Sequence, residues 1–270
     1  MAKGYTGRTE IEKDFIKAFN RLSYRHNPWT VWQNFINMAA CSISNAVDRQ
    51  PETWKAREES YLAAAKAYDK EELDGIAEML GLTVKALEEN PAQDFLGNLY
   101  MSLDFGSGWS GQFFTPWHVA EFMAEITFAD SPSLEEELKT KGFISVNDPA
   151  CGAGCMLLAF VQACKKRGTV NYQRQVLFTG QDIDRVVAQM CYIQLSLLGC
   201  PGYVVIDDTL SKPAVSVDDR GLIPREGPNV WYTPMYFRDI WSWRRLAATV
   251  SHTLKVIKTE EENDHDRAAG

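Results

Sequence analysis

The segment with the clearest chemical meaning is a short loop with two glycines, Asp148 to Gly154, which reads Asp-Pro-Ala-Cys-Gly-Ala-Gly. An apolar run precedes it and an amphipathic pattern follows it, so the loop is predicted to join a strand to a helix. Glycine lets the backbone turn sharply and approach a ligand closely, and ligands of open α/β sheets lie at the carboxyl ends of the strands. The loop is therefore a candidate binding site. A glycine turn alone, however, is often purely steric.

A second candidate segment precedes this loop, at Gly111 to Pro116 (Gly-Gln-Phe-Phe-Thr-Pro). Thr115 is suited to cap a helix and Pro116 suits the first helical position. The free amides of such a helix start can face a carboxylate. A Thr-Pro start alone is usually only a cap, but its place before the glycine loop favours a binding role.

Two acidic segments come after the loop. Asp182 and Asp184 come after the second predicted strand, where a carboxylate can accept both hydroxyls of a ribose. Asp184 is the alternative ribose acceptor, and its other interpretation is that it only caps the next helix. Asp208 follows the third predicted strand, where the alternative is a surface turn.

Taken in order, these segments resemble the cofactor segments of N6-adenine DNA methyltransferases, in particular the modification subunits of type I restriction systems. The resemblance covers about residues 94–210 and implies S-adenosylmethionine as cofactor. It places the glycine loop against the methionine moiety with Asp148 near its ammonium group, Asp182 on the ribose and Asp208 near the adenine amino group, although Asp207 replaces a family glycine. The implied cofactor-binding residues are Gln112, Phe113, Phe114, Thr115, Pro116, Asp148, Pro149, Ala150, Gly152, Ala153, Gly154, Asp182, Ile183 and Asp208.

The catalytic signature of that family, Asn-Pro-Pro-Tyr or Asn-Pro-Pro-Phe, does not occur in this sequence. In the family it follows the fourth strand; its Asn accepts a hydrogen bond from the target amino group, and its aromatic ring stacks on the flipped base. At the expected distance stands Thr233-Pro234-Met235-Tyr236. One interpretation is a degenerate motif with Thr233, Pro234 and Tyr236 as catalytic residues; the other is a structural turn. The C-terminal half is also expected to be shortened relative to the family.

The elements that must position these residues fall into two predicted domains and a tail. Residues 1–105 show helical periodicity, beginning with a capping-box spacing at Thr9 and Glu12. Residues 106–257 alternate short apolar runs with helices, which is typical of a parallel sheet covered by helices, here a partial Rossmann-like α/β fold. Residues 258–270 are predicted to be a charged, disordered tail. The predicted strands are 143–147, 175–179, 203–206 and 229–232, and the predicted helices of this domain are 116–127, 155–167, 185–198 and 238–257.

Composition limits the classes of function. The 270 residues carry a net charge of -8 with a pI near 5.1, which is the wrong sign for gripping many phosphates, so DNA is expected to be bound through a partner subunit. No apolar run approaches the roughly 18 residues that span a bilayer, so we expect no membrane contact and a cytoplasmic location. The six cysteines are read as reduced core thiols, and neither they nor the histidines have metal-ligand spacing.

These observations leave three hypotheses of function. The first is an adenine-N6 DNA methyltransferase that uses S-adenosylmethionine, with activity only in an assembly as one alternative; its partner would be another protein or a second copy of the chain. The second is a catalytically inactive relative that acts as a subunit or decoy in restriction or anti-restriction. The third is a methyltransferase for a protein or a small molecule, because the cofactor fold does not fix the acceptor.

Overall fold

The computed structural model of the protein describes residues 9–106, 114–129, 132–225, 227 and 229–269. Helices dominate the first hundred residues, and helices and strands alternate after them. The helices are α1 (Glu10–Ser23), α2 (Pro28–Val47), α3 (Pro51–Ala65), α4 (Lys70–Glu89), α5 (Phe95–Ser102), α6 (Trp117–Ala129), α7 (Pro132–Lys141), α8 (Cys155–Arg167), α9 (Tyr172–Gln175), α10 (Arg185–Leu197) and α11 (Asp239–Ala269); the strands are β1 (Ile144–Asp148), β2 (Val176–Asp182), β3 (Gly202–Ile206) and β4 (Val230–Tyr232), and a short 3-10 helix spans Pro234–Phe237.

The N-terminal helices form because their apolar stripes meet. Thr9 and Glu12 make the predicted capping box, with the Glu12 amide 3.1 Å from the Thr9 hydroxyl and the Thr9 amide 2.8 Å from the Glu12 carboxylate. The stripe that includes Phe15 and Phe19 on α1 packs against Trp32 on α2 through edge-to-face ring contacts. The predicted helical character of this region is confirmed.

The sheet has the strand order β1-β2-β3-β4, with β1, β2 and β3 parallel. Helix α8 links β1 to β2 and helix α10 links β2 to β3, which gives the Rossmann-like α/β arrangement expected from the sequence. The fourth strand departs from the expected parallel order, because β4 runs antiparallel to β3. Its connection from β3 contains no helix in the described residues, and a parallel return would require a crossover.

Two apolar cores lie on opposite faces of the sheet. On one face, Ile144 and Phe178 pack with α8, α10 and the N-terminal helices in one continuous core. On the other face, Phe143 and Leu177 pack against Trp241 of α11. The predicted division at residue 105 stays a prediction, and the first core runs through both sides of it.

Helix α11 extends further than expected. The sequence predicts disorder over 258–270, whereas α11 continues to Ala269. The physical reason is that residues 239–269 contain neither Gly nor Pro, and the segment is rich in Ala, Glu, Lys and Arg, which favour helix. Within the described ranges, no helix is both long and apolar enough to cross a membrane, and no group of three or more His, Cys, Asp or Glu could hold a metal ion.

Candidate cofactor site

The glycine loop, residues 149–154, is a tight turn held against β2. The Cys151 amide donates to the Gln181 carbonyl at 2.9 Å, and the Gly154 amide donates to the Cys151 carbonyl at 2.7 Å. Gly154 has φ +99, and a Cβ added there would lie 2.9 Å from the sulfur of Cys191 on α10. Glycine is required at 154 because α8 and α10 approach each other too closely for a side chain.

The start of α8 is open to a ligand. Its N-cap is Gly154, and no side chain makes a cap hydrogen bond there. The first amides of a helix that lack side-chain caps, together with the helix dipole, favour a carboxylate or another electron-rich group. A ligand beside the glycine loop would therefore meet partial positive charge.

The inner side of the loop is covered by an aromatic ring. A Cβ added to Gly152, which has φ +52, would lie 3.3 Å from the Phe114 ring. Phe114 in turn stacks on Tyr100 with 5.3 Å between ring centroids. The direction in which the Gly152 side chain would project is thus filled by Phe114, and any ligand must lie on the remaining side of the loop.

Asp182 lies at the carboxyl end of β2 and joins three parts of the site. One carboxylate oxygen accepts the Gly152 amide at 2.9 Å, and the other accepts the Asp184 amide at 2.9 Å. Each oxygen keeps a further lone pair that can accept a hydroxyl group. The neighbouring Ile183 is 71% exposed and offers an apolar side chain next to Asp182 in sequence.

The alternative acid, Asp184, has a structural task. Its carboxylate accepts the amides of Val186 and Val187 at 2.8 and 3.3 Å and so caps α10. The sequence leaves open whether Asp184 binds a ribose or caps a helix, and these bonds show that it caps α10. Asp182 remains the candidate ribose acceptor.

Asp148 ends β1 at the start of the loop. Its carboxylate accepts the Ala150 amide at 3.1 Å. Burial raises the pKa of Asp148, and the nearby charge of Asp182 raises it further, while the Ala150 amide opposes both. A partly desolvated carboxylate of this kind is stabilised in its charged form when a cationic ligand group approaches it.

Asp208 is engaged in its own turn. Its two carboxylate oxygens accept the Leu210 amide at 3.0 Å and the Ser211 hydroxyl at 2.8 Å, and these bonds lower its pKa. The adjacent Thr209 hydroxyl donates to the Pro149 carbonyl and joins the β3 loop to the glycine loop. The turn at Asp208 therefore lies near the site, although its carboxylate already has local partners.

Of the segment Gly111 to Pro116, the structure describes residues 114–116. Gln112 and Phe113 lie outside the described residues. The Thr115 carbonyl accepts the Cys155 thiol at 3.3 Å, which places this segment against the start of α8. Helix α6 begins at Trp117, one residue later than expected, and the Pro116 carbonyl accepts its first amides.

A buried amide that sequence reasoning missed supports the glycine loop from behind. The Gln194 side chain on α10 donates to the Ala153 carbonyl at 2.9 Å and to the Asp94 carboxylate at 2.8 Å, and it accepts the Leu96 amide at 3.2 Å. Asp94 is also the N-cap of α5, and burial raises its pKa. Gln194 lies within an apolar helix pattern, and nothing in that pattern indicates its role.

The proposed catalytic residues Thr233, Pro234 and Tyr236 are not at this site. Thr233 pairs with the first residue of β3: its hydroxyl accepts the Gly202 amide at 3.0 Å and donates to the Cys200 carbonyl at 2.7 Å. This is the amino end of the parallel strands, opposite the glycine loop. The structure does not bring the expected degenerate motif to the glycine loop, because β4 pairs antiparallel to β3 and carries the residues after it away from the site.

Tyr236 has a structural explanation of its own. It is buried, its hydroxyl donates to the Leu222 carbonyl, and its ring stacks on Tyr232 with centroids 4.9 Å apart. Pro234 begins the 3-10 helix that carries it. Tyr236 thus belongs to the second core, which agrees with the structural-turn interpretation.

The six cysteines are buried and free of disulfides, as expected for core thiols. Burial raises the pKa of Cys155 and of Cys164 to about 12 and that of Cys41 to about 11. Neutral thiols of this kind pack as small apolar groups, and Cys155 at the start of α8 is one of them.

The fold and the loop define an α/β protein with a candidate ligand site at the carboxyl ends of its parallel strands. Residues 92–263 match the family model described as N-6 DNA Methylase, so the chain belongs to that family. No match is found among curated proteins.

Two solved structures are similar to this chain. The first is assigned as a class I S-adenosylmethionine-dependent methyltransferase from Listeria monocytogenes; it is 16% identical over 77% of this chain and 56% of its own, with a TM-score of 0.40. The second is a type I restriction-modification system methyltransferase subunit from Streptococcus thermophilus; it is 18% identical over 76% of this chain and 45% of its own, with a TM-score of 0.38. The chain spans about half the length of each.

Proposed function

We propose that this chain supplies the S-adenosylmethionine-binding part of an adenine-N6 DNA methyltransferase, and that a partner subunit helps it to bind DNA. The observation that carries the proposal is the position of Asp182, which holds the glycine loop through Gly152 and keeps lone pairs for a ribose. Membership of the N-6 DNA methylase family supports the same assignment.

The residues present fit the cofactor. The uncapped start of α8 suits the carboxylate of the amino-acid moiety, and Asp148 suits its ammonium group. Asp182 suits the ribose hydroxyls, and the exposed Ile183 suits one face of the adenine. When bound, S-adenosylmethionine would supply a methyl group on a sulfonium centre; this chain's residues bind and orient it.

A partner subunit is part of the proposal because the net charge of -8 disfavours tight binding of DNA by this chain alone. Thr233 bonds to the start of β3 and Tyr236 lies in the second core, so neither side chain is available to contact a base. The partner is therefore expected to bring basic surface. A cytoplasmic location, where both DNA and cofactor are available, belongs to the same proposal.

The burial of Thr233 and Tyr236 favours a second candidate function. A family member that binds the cofactor and has no acceptor site could act as a non-catalytic subunit or decoy in restriction or anti-restriction. It differs from the first candidate in one measurable property, which is methyl transfer by the assembled complex.

The test traces tritiated methyl groups from S-adenosylmethionine to adenine-containing DNA. Purified chain is expected to bind cofactor without transferring methyl groups, and the complex isolated through a tag on this chain is expected to methylate adenine. Tyr236→Phe should leave the activity of the complex unchanged, because that hydroxyl serves the core. Cofactor binding with no transfer by any complex would favour the decoy, and absence of cofactor binding would defeat both candidates.

A further inference from the structure

Three arginines gather at the amino ends of β1 and β2, at the end of the sheet opposite the glycine loop. Arg174 lies in α9, directly before β2, Arg244 lies near the start of α11, and Arg220 lies in the loop between β3 and β4. Arg220 and Arg244 both lie over the ring of Phe143, which directly precedes β1, with guanidinium carbons 5.5 and 5.3 Å from the ring centroid. Arg174, Arg220 and Arg244 are called the arginine cluster below.

Arg244 is fixed in place by the backbone of two neighbouring segments. Its guanidinium donates to the Arg174 carbonyl and to the Gly142 carbonyl, each at 2.6 Å. It also lies over the Trp241 ring, with 4.6 Å between the guanidinium carbon and the ring centroid. Because the planar guanidinium is held by these contacts, its remaining N–H donors have a fixed orientation before any ligand binds.

Arg220 is held in a similar way, by a hydrogen bond to the Lys141 carbonyl at the end of α7. Carbonyl groups at a helix C-terminus favour a positive charge, so capping of α7 accounts for one donor of Arg220 and one of Arg244. A guanidinium has five N–H donors, and most of them stay free after these bonds. Capping alone therefore does not explain why three arginines meet at this place.

No carboxylate neutralises the arginine cluster within the described part of the chain. The acids of the neighbouring loop and helix have other partners. Asp219 pairs with Lys255, Glu137 pairs with Lys141 at 3.2 Å, and the buried Asp218 accepts two backbone amides of its own loop. None of the three guanidinium groups has a carboxylate oxygen within 4.0 Å among the described residues.

The positive charges of the cluster act on one another. Burial lowers the pKa of Arg244, and the charges of Arg220 and Arg174 lower it further, so the three groups lie close enough to repel each other. The free energy that this repulsion costs falls when an anion binds between the charges. A local positive surface on a chain of net charge -8 is therefore best explained by an anionic ligand.

We propose that the arginine cluster binds a phosphate group, either of a nucleic-acid backbone or of a small phosphorylated molecule. The planar fork of a guanidinium matches the oxygens of a phosphate, and a phosphate has enough oxygens to bridge two guanidinium groups. A carboxylate has two oxygens and a single charge, so it matches one arginine and leaves the others without a partner. The cluster lies at the amino ends of the strands and is separate from the candidate cofactor site at their carboxyl ends, so this inference goes beyond the proposed function.

The first probe is a fluorescent DNA duplex, and its binding to the full chain is measured by fluorescence anisotropy at a series of salt concentrations. Three phosphate contacts predict that log K falls with log salt with a slope of about -2.7. Arg174→Gln should reduce the size of that slope by about 1, as expected for one lost phosphate contact. Arg174 is exposed and only its backbone carbonyl is bonded, so the fold should not change. Arg49→Gln is the matched control, because it removes an exposed arginine between α2 and α3 and should leave the slope unchanged.

The second probe is inorganic pyrophosphate, titrated into the full chain by calorimetry. DNA binding that Arg174→Gln and Arg220→Gln weaken several-fold would support a nucleic-acid backbone as the source of the phosphate. Pyrophosphate binding that the same variants weaken, without binding of DNA, would support a small phosphorylated molecule. Arg220→Gln also loses the bond to the Lys141 carbonyl, so its free energy of unfolding is measured alongside, and Arg174→Gln carries the test if that variant does not fold.

Binding of neither probe to the wild type would overturn the proposal. Equal affinities and salt slopes for the wild type, Arg174→Gln and Arg220→Gln would also overturn it, since the arginines would then serve only the fold. A polyglutamate peptide that binds more tightly than both phosphate probes would assign the cluster to an acidic protein segment and overturn the choice of phosphate. Titration of the same samples with S-adenosylmethionine keeps this inference apart from the proposed function, because each kind of binding is measured at its own end of the strands.

Discussion

The Asp182 carboxylate accepts the Gly152 amide at 2.9 Å, so the acid that ends β2 holds the loop that follows β1. The same carboxylate accepts the Asp184 amide, which fixes the start of α10. The ends of two neighbouring parallel strands are thereby joined through one side chain. A ligand that needs both the loop and the acid finds them already at a fixed distance, which lowers the entropy lost on binding.

Among the residues of the glycine loop, substitution of Gly154 is expected to lower the free energy of unfolding most. Gly154→Ala combines a positive φ with a Cβ 2.9 Å from the Cys191 sulfur, so the free energy of unfolding should fall by about 3 kcal/mol. Gly168→Ala is the matched control, since Gly168 has φ +66 and open space around its Cβ position, and about 1 kcal/mol is expected from the backbone alone. Urea unfolding measures both; equal losses would show that α8 and α10 are not closely packed at Gly154.

Gln194 is expected to act as a positioning residue for the glycine loop. Gln194→Leu leaves the Ala153 carbonyl and the Asp94 carboxylate without a buried donor, which should lower the free energy of unfolding by about 2–4 kcal/mol and weaken cofactor binding. Gln162→Leu, which removes a single bond from α8 to the Pro91 carbonyl, is the control and should leave cofactor affinity unchanged. If the two variants bind cofactor equally well, the role of Gln194 is only structural.

Asp94 is expected to make stability depend on pH. Burial raises the pKa of its carboxyl above the ordinary value of 3.8, so the folded state holds this proton at pH values where the unfolded chain has lost it. The resulting contribution is fully present below pH 3.8 and is lost as pH rises through the raised pKa. Asp94→Asn keeps the N-cap oxygen and lacks the titration. The free energy of unfolding of the wild type, relative to that of the variant, should therefore fall as pH rises above 3.8. A difference between the two that does not change with pH would contradict the assignment.

Much of the fold can be predicted from the sequence because local signals agree with the tertiary structure. The capping box at Thr9, the helix from Cys155 to Arg167 and the strands around the glycine loop are read correctly from periodicity and glycine placement. The sequence does not decide whether Asp184 binds a ribose or caps a helix, and only the fold assigns it the cap of α10.

The errors arise where pairing between distant segments decides the structure. Nothing local in the Val-Trp-Tyr segment shows that β4 pairs antiparallel to β3, so Thr233 and Tyr236 are expected at the wrong end of the sheet. The buried bonds of Gln194 likewise depend on which elements come together, and not on the local sequence pattern.

Isothermal titration with S-adenosylmethionine tests the central claim most directly. The wild type should bind. Asp182→Ala should abolish the signal, because it removes the ribose acceptor and the hold on Gly152. Asp184→Ala, which removes the cap of α10, should bind with unchanged affinity while losing about 1 kcal/mol of stability. A wild type that gives no heat of binding, or an Asp182→Ala variant that binds as the wild type does, would contradict the account.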